Sequence, residues 1–254
     1  MKNFLIALIL IYVPVLFSSP LFDAIRNEDD AAIIKILETD PEQIHMLESE
    51  MTAMHLAIMV GNLDIVILLQ HYGASMENDE DGDSPLNLAA AYQNTALLSH
   101  FLTEPQGYIY SGNLEGYTAL HYAAATGNLA VLVLLFESGH PIDPQDDHQA
   151  TPLFEAVMNG NYDIANQLLQ YGANCTLPTN YQNSLSPLSY AQENGLHAMV
   201  LLMEEHLKKS PKNKSRRLAS SKPTILFPKN WKDDDGSGDQ VVPKFYYTGA
   251  SSSY

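Results

Sequence analysis

The chain has 254 residues, a formal net charge of −17 and a single cysteine, Cys175. One cysteine excludes an internal disulfide framework, and its place in a turn region without basic neighbours favours a small packing residue over a reactive thiol. The charge is distributed unevenly along the chain. Residues 20–206 carry 26 Asp and Glu and two basic residues, whereas residues 207–254 carry ten Lys and Arg and four Asp. A surface as negative as that of 20–206 repels phosphate backbones, which excludes nucleic-acid binding by this part of the chain.

The first 19 residues have the pattern of an export signal. Lys2 precedes an apolar run from Phe4 to Phe17, and the small residues Ser18 and Ser19 follow it. This run is shorter than the about 20 residues that a transmembrane helix needs, so the sequence predicts a signal peptide over 1–19 and an exported protein, periplasmic or secreted. Two alternatives stay open: an uncleaved anchor, which would be the single point of membrane contact, and an apolar helix docked on the segment that follows.

A four-residue anchor recurs six times at a nearly constant spacing. It begins with Thr or Ser at positions 19, 52, 84, 118, 151 and 186, so successive copies are 33, 32, 34, 33 and 35 residues apart. In every copy an Ala follows two residues after the fourth member, and three copies then have Gly-Asn at a turn. The six anchors are Ser19-Pro20-Leu21-Phe22, Thr52-Ala53-Met54-His55, Ser84-Pro85-Leu86-Asn87, Thr118-Ala119-Leu120-His121, Thr151-Pro152-Leu153-Phe154 and Ser186-Pro187-Leu188-Ser189.

This pattern closely resembles the ankyrin repeat, whose signature is Thr-Pro-Leu-His-x-Ala, and the resemblance covers about residues 19–207. It implies an all-α fold, an ankyrin-repeat solenoid of helix–turn–helix units with short β-turn fingers, in which each unit buries its apolar faces against its neighbours. The predicted domain is 20–208, and its first and last units are polar caps. The repeats are predicted at about 19–45, 47–78, 79–112, 113–145, 146–180 and 181–208.

Three irregular stretches interrupt the repeats, and we expect partner specificity to depend on them. A loop with two tyrosines occupies 104–112, a long connector precedes Leu185, and basic residues begin after His206. The segment 209–254 mixes Lys and Arg with Gly, Ser and Asp and has no helical apolar spacing, which predicts a disordered, basic, low-complexity tail. A positive tail beside a negative array favours self-association, an intramolecular contact that masks the array, or binding to anionic surfaces.

The resemblance also implies where a partner binds, because ankyrin arrays use a concave face made of the finger tips and the exposed side of each first helix. Tyrosine and methionine suit such contacts, and the surrounding carboxylates favour a basic protein or peptide. His55 and His121 are instead expected to hydrogen-bond within their turns to Thr52 and Thr118. The predicted tip residues are Met51, Asp81, Asp83, Glu115, Tyr117, Asp147 and Leu185, and the predicted helix residues are Met59, Tyr92, Tyr122, Met158, Tyr190 and Glu193.

The sequence contains no pattern that predicts catalysis, a metal or a cofactor. It lacks a Gly-rich phosphate loop, a Gly-x-Ser-x-Gly elbow and the Cys/His spacing of a zinc site. The prediction is therefore an exported, non-enzymatic interaction module. The alternatives are an accessory or inhibitor subunit of an exported, periplasmic enzyme and a bacterial effector delivered into a host cell. Two tripeptides, beginning at Asn174 and Asn213, fit the N-glycosylation pattern.

Overall fold

A computed structural model describes residues 19–49, 51–103, 112–181 and 184–209. The predicted signal peptide up to residue 18, the tyrosine loop up to residue 111 and the tail from residue 210, which includes Asn213, lie outside the described residues. Within these ranges the fold is almost entirely helical, which confirms the all-α prediction. The α-helices are α1 (Pro20–Arg26), α2 (Asp30–Thr39), α3 (Ala53–Val60), α4 (Leu63–His71), α5 (Pro85–Ala91), α6 (Thr95–Thr103), α7 (Ala119–Thr126), α8 (Leu129–Glu137), α9 (Pro152–Met158), α10 (Tyr162–Gln170), α11 (Pro187–Glu193) and α12 (His197–Lys209).

The helices form consecutive pairs, and the pair α7–α8 shows how the sequence produces one. Thr118 and His121 make a capping box at the start of α7, which satisfies backbone N–H groups that have no partner inside the helix. Gly127 ends α7 in the left-handed conformation, with φ of 78°, which glycine adopts without steric cost. The side chain of Asn128 then caps α8 by accepting a hydrogen bond from Val131 N at 3.1 Å. This short turn reverses the chain and makes the pair a helical hairpin.

The pairs stack through the odd-numbered helices, which we call the front helices. Each front helix packs against the next one along the chain, from α1 to α11. Alanine recurs at the same place in every front helix, and all copies are buried, because a methyl group lets neighbouring helices approach closely. These alanines are Ala24, Ala57, Ala89, Ala123, Ala156 and Ala191.

The even-numbered helices, which we call the back helices, supply the larger core side chains. Each of them buries two apolar residues four positions apart, so that both side chains lie on one face of the helix. From α6 to α12 successive back helices also pack against each other. The pairs are Ile33 and Leu37, Ile65 and Leu69, Leu97 and Phe101, Val131 and Leu135, Ile164 and Leu168, and Met199 and Met203.

Asparagines in the inter-helix turns provide a second link between neighbouring pairs, which the sequence pattern did not predict. Asn94 Nδ2 donates to the Gly61 carbonyl at 2.8 Å. Asn161 Nδ2 donates to the carbonyls of Ala124 and Ala125 at 2.8 and 2.9 Å. The carbonyls at the end of a front helix lack partners inside that helix, so these amides satisfy them from the next pair.

Two short strands precede α3. β1 (Leu47–Glu48) and β2 (Met51–Thr52) pair antiparallel with Leu47 opposite Thr52, and a 3₁₀ helix, Pro41–His45, leads into them. Cys175 is a buried free cysteine in the loop after α10. None of the helices in the described ranges is long and apolar enough to cross a membrane.

Candidate functional site

Four turns, which we call the fingers, precede α5, α7, α9 and α11 at 79–83, 113–117, 146–150 and 179–185. In the first three, the first residue is Asp or Asn, and its side-chain oxygen accepts from the backbone N–H four residues later, which closes the turn locally. The distances are 2.8 Å from Asp79 to Asp83 N, 2.9 Å from Asn113 to Tyr117 N and 2.7 Å from Asp146 to Ala150 N. In the fourth finger, Thr179 N and Oγ1 both donate to the Leu185 carbonyl.

Backbone hydrogen bonds connect the tip of each finger to the next. Leu114 N donates to the Asp81 carbonyl at 2.9 Å, Asp147 N to Glu115 at 2.9 Å, and Asn180 N to His148 at 2.6 Å. The tips therefore form one continuous row, which we call the finger row. Together with the exposed side of α5, α7, α9 and α11 it forms the surface that we call the finger face.

Glycine at the finger tips permits this close approach. Gly82 has φ of 78°, and a Cβ there would lie 2.9 Å from Leu114 N. Gly116 has φ of 76°, and a Cβ there would lie 3.1 Å from the Asp146 Cα. A side chain at either position would combine an unfavourable backbone conformation with a steric clash, so these two glycines set the spacing of the row.

The fourth anchor residue can join a front helix to the segment that leads into the next pair, as His121 shows. His121 Nδ1 accepts from Thr118 N at 3.1 Å, so the neutral imidazole carries its proton on Nε2, which donates to the Ala150 carbonyl at 3.1 Å. Burial lowers the pKa of His121 to about 4, which keeps the ring neutral near pH 7. The side chain therefore caps its own helix and also binds the next finger.

A similar link occurs at two other anchors, although the partner of His55 lies just before the first finger. His55 Nδ1 accepts from Thr52 N at 3.3 Å, and its Nε2 donates to the Glu77 carbonyl at 3.0 Å. Asn87 replaces histidine in the third anchor, and its Nδ2 donates to the Tyr117 carbonyl at 3.4 Å. An amide can therefore take the place of the imidazole in reaching the next finger.

A buried tyrosine–carboxylate network lies behind the second finger. Tyr122 Oη donates to Asp83 Oδ2 at 2.6 Å, and Asn113 Nδ2 donates to the same oxygen at 3.3 Å. The ring of Tyr117 meets that of Tyr122 edge-on, with centroids 4.7 Å apart. Burial, and then the charge of Glu155, raises the pKa of Tyr117, so the two tyrosines of α7 and its finger lie close to carboxylates of both neighbouring pairs.

Asp83 belongs to this network and not to the accessible surface. The sequence placed it among the partner-binding tips, but only 5% of it is exposed, because its carboxylate turns inward to Tyr122 and Asn113. Burial raises the pKa of Asp83, and the hydrogen bond from Tyr122 partly counteracts this. The internal hydrogen bonds that it accepts give it a structural role.

The other predicted binding residues differ in exposure. Asp81, Glu115 and Asp147 are exposed and lie at successive tips of the finger row. Tyr92 and Met158 lie at the ends of their front helices and are 43% and 41% exposed, and Glu193, at the end of α11, is also exposed. Met51 lies apart from the four fingers, in strand β2. The half-buried members are Met51, Met59, Tyr117, Tyr122, Leu185 and Tyr190.

An aromatic group lies between the third and fourth fingers, and the sequence reasoning named only Tyr190 of it and missed His148, Phe154 and Tyr181. Tyr181 stacks on His148 with centroids 4.8 Å apart and on Phe154 with centroids 5.8 Å apart. Phe154 also meets Tyr190 edge-on at 5.3 Å. The repeat period could have revealed it, because Glu115, His148 and Tyr181 follow one another at intervals of 33 residues and so occupy equivalent tip positions.

The helical pairs are strongly negative. From Ile36 to Leu207 the sequence contains no Lys or Arg and 22 Asp and Glu. Ion pairs occur near the ends of the described domain, where Arg26 pairs with Asp23 and Glu48, and Lys209 pairs with Glu205. Within the described part of the chain, no three His, Cys, Asp or Glu side chains are placed to hold a metal ion.

Comparison with known proteins agrees with the repeated architecture. A family profile described as "Ankyrin repeats (3 copies)" matches residues 21–108 and 95–179. The B-cell lymphoma 3 protein homolog of Mus musculus is 32% identical over 191 residues, which are 72% of this chain and 42% of the mouse protein. The chain thus spans less than half the length of that relative.

Two crystal structures of ankyrin repeat domains are similar to the fold. One is a domain from Acinetobacter baumannii AYE, with 27% identity, a TM-score of 0.63, and coverage of 74% of this chain and 97% of that domain. The other is the ankyrin repeat domain of Bcl-3, described as a member of the IkappaB protein family, with 28% identity, a TM-score of 0.63, and coverage of 74% and 86%. Both similarities cover a large part of the described helical pairs.

Proposed function

Because the chain belongs to the ankyrin repeat family, we propose that it is an exported, non-enzymatic interaction module that binds a basic protein or peptide through the finger face. The observation that carries the proposal is the finger row itself. Its tips carry exposed carboxylates at Asp81, Glu115 and Asp147, and no Lys or Arg occurs between Ile36 and Leu207 to neutralise them. Ankyrin arrays bind partners along an extended surface built from such repeats.

The proposed array contains six repeats, one for each helical pair, although the family profile matches the chain only from 21 to 179. The pair α11–α12 follows the same capping scheme, since Ser186 and Ser189 form a capping box at the start of α11. The pair α1–α2 lacks such a side-chain cap at Ser19 but has Pro20 at the first helical position. Both end pairs therefore have the local features of a repeat.

Electrostatics support a basic partner. Carboxylates that face solvent without nearby cations create a negative potential, which attracts a positively charged molecule before contact and speeds association. Salt screens this attraction over about 8–10 Å at physiological ionic strength. Binding through the finger face should therefore weaken strongly as salt is added.

Removing charge from the finger row tests the proposal. The triple variant Asp81→Asn, Glu115→Gln, Asp147→Asn removes three exposed charges while keeping side-chain size. The matched control Asp64→Asn, Glu137→Gln, Asp163→Asn removes three exposed charges from the back helices α4, α8 and α10. We expect the first triple to weaken binding of a fluorescein-labelled octalysine peptide about tenfold and the control about twofold or less, because the finger-row charges would contact the peptide directly.

Fluorescence anisotropy at 50, 150 and 300 mM salt measures this difference. Equal losses in the two triples would show that the whole acidic surface attracts the peptide without a preferred face, and undetectable binding to the unmodified chain would end the proposal of a basic partner. Export is tested separately by amino-terminal sequencing of the protein from its native compartment. A start after residue 19 is expected from the sequence pattern of 1–19.

A further inference from the structure

The aromatic group between the third and fourth fingers has a composition that differs from the rest of the finger face. It consists of His148, Phe154, Tyr181 and Tyr190, and we call it the Tyr181 subsite. Phe154 is buried, whereas Tyr181 is 38% exposed at the tip of its finger. The rings of His148 and Phe154 are each inclined by only about 25° to the ring of Tyr181, so Tyr181 stacks on both and brings aromatic surface to the exterior.

Carboxylates surround this stack. Burial raises the pKa of Tyr181, and the charges of Asp146, Glu155 and Glu115 raise it further. Glu155 is buried against Tyr117, and Asp146 is fixed by the N–H groups of His148 and Ala150. Glu115 is exposed at the neighbouring tip. Glu115 is therefore the exposed carboxylate of the three, and the buried Asp146 and Glu155 add negative potential at the aromatic faces.

We propose that the Tyr181 subsite receives an arginine side chain of the partner. This inference rests on the proposed function, since it specifies which cation the acidic finger face recognises. A guanidinium group is planar, stacks on aromatic faces and forms paired hydrogen bonds with carboxylates. An ammonium group is a strongly hydrated point charge that lacks the planar shape. The combination of ring face and carboxylate at Tyr181 thus fits arginine better than lysine.

Charge complementarity also decides against another copy of the array as the occupant. The helical pairs offer no Lys or Arg from Ile36 to Leu207, so the corresponding face of a second array would bring further carboxylates to the subsite. Like charges in contact oppose association. The arginine is therefore assigned to a partner protein or peptide and not to the corresponding face of a second array.

Three peptides of one sequence test the assignment. They alternate glycine with arginine, with lysine, or with citrulline, which has the shape of arginine without its charge, and each carries the same fluorescein label. With the full chain at 150 mM salt, we expect the arginine peptide to bind about fivefold more tightly than the lysine peptide, the ratio that a partly desolvated cation–π contact supplies. The citrulline peptide should bind at least thirtyfold more weakly than the arginine peptide.

Variants of Tyr181 then locate the preference. Tyr181→Leu keeps an apolar side chain but removes the aromatic face, and it should weaken the arginine peptide about fivefold and abolish its advantage over lysine. Tyr181→Phe keeps the face and should bind within twofold of the unmodified chain. Tyr162→Leu is the matched control, because Tyr162 lies on the back helix α10 and is similarly exposed, at 43%.

The outcomes separate this inference from the proposed function. If both cationic peptides bind with strong salt dependence but equally well, or if Tyr181→Leu keeps the arginine preference, the arginine assignment is wrong and the acidic finger face stands. If neither cationic peptide binds, the proposed basic partner and the arginine assignment both fail. Thermal unfolding of each variant, monitored by circular dichroism, confirms that a lost preference does not come from a lost fold.

Discussion

Two neighbouring junctions in this array are closed by the same anchor position in different ways. Between the fourth and fifth pairs, His121 donates a hydrogen bond to the Ala150 carbonyl of the next finger. Between the fifth and sixth pairs, the equivalent residue is Phe154, which packs against Tyr181 of the next finger and Tyr190 of the next front helix. The first junction is closed by a hydrogen bond from the fully buried His121. The second is closed by ring contacts, and one of the rings, Tyr181, is exposed at the surface.

The difference shows how a repeated fold can acquire a local binding site. The buried imidazole of His121 satisfies the backbone N–H of Thr118, which would otherwise lose its hydrogen bond, so its contribution is to stability. Phenylalanine cannot donate to a carbonyl, so at this junction ring contacts accompany the backbone bond between the finger tips, from Asn180 to His148. With phenylalanine in the place of histidine, this junction does not depend on a hydrogen bond from the anchor residue. The exposed ring of Tyr181 is then available to a partner.

The largest effect on stability is expected when His121, at the polar junction, is replaced by phenylalanine, the residue found at the aromatic junction. His121→Phe keeps the ring contact with Tyr117, whose centroid is 4.9 Å away, but removes the acceptor for Thr118 N and the donor to Ala150. We expect a loss of about 2–3 kcal/mol in the free energy of unfolding, because a buried backbone group is left without a partner. Urea denaturation measures it, and a loss below about 1 kcal/mol would show that the imidazole bonds contribute little.

A pH effect of intermediate size should come from the same histidine. Since burial lowers the pKa of folded His121 from 6.5 to about 4, the unfolded chain binds the proton more tightly. The stabilisation is complete above pH 6.5 and is lost as the pH falls from 6.5 to 4. We expect His121 to account for about 2 kcal/mol of lost stability between pH 7 and pH 5.

Comparison with His121→Asn isolates this contribution. Asparagine does not titrate and already reaches the next finger as Asn87. His140, whose pKa burial also lowers to about 4, and Asp143, whose pKa burial raises to about 6, are present in both proteins and cancel in the difference. Asp143 acts in the direction opposite to His140, because its raised pKa makes it stabilising at low pH, and the raised pKa values of Asp83, Asp146 and Glu155 act in the same direction as Asp143. Parallel pH profiles for the two proteins would contradict the assignment to His121.

The smallest effect is expected at the aromatic junction. Phe154→Leu keeps apolar volume but removes the ring contacts with Tyr181 and Tyr190, which should reduce the free energy of unfolding by about 1 kcal/mol. The same variant should release the Tyr181 ring and reduce the preference for the arginine peptide. If Phe154→Leu destabilises the chain as much as His121→Phe does, the two junctions do not differ in the way that their contacts indicate.

Much of the fold could be predicted from the sequence, because helix formation depends on neighbours within a few positions. Thr118 and His121 are three residues apart, so the sequence could indicate the bond between them. Gly127 and Asn128 mark a turn by their own conformational preferences. The hydrogen bond from His121 to the next finger could not be predicted in the same way, since Ala150 is 29 residues away and its position depends on how the units stack.

The features of the candidate site can also be separated into those that depend on local sequence and those that depend on contacts between repeats. The sequence by itself determined the period, the pairing of helices and the acidic tips at Asp81, Glu115 and Asp147, because these follow from local pattern and composition. Only the tertiary structure decided that Asp83 turns inward to Tyr122 and that Tyr181 joins His148 and Phe154. These contacts join different repeats, and whether a side chain at the seam is buried or exposed depends on the neighbouring unit that covers it.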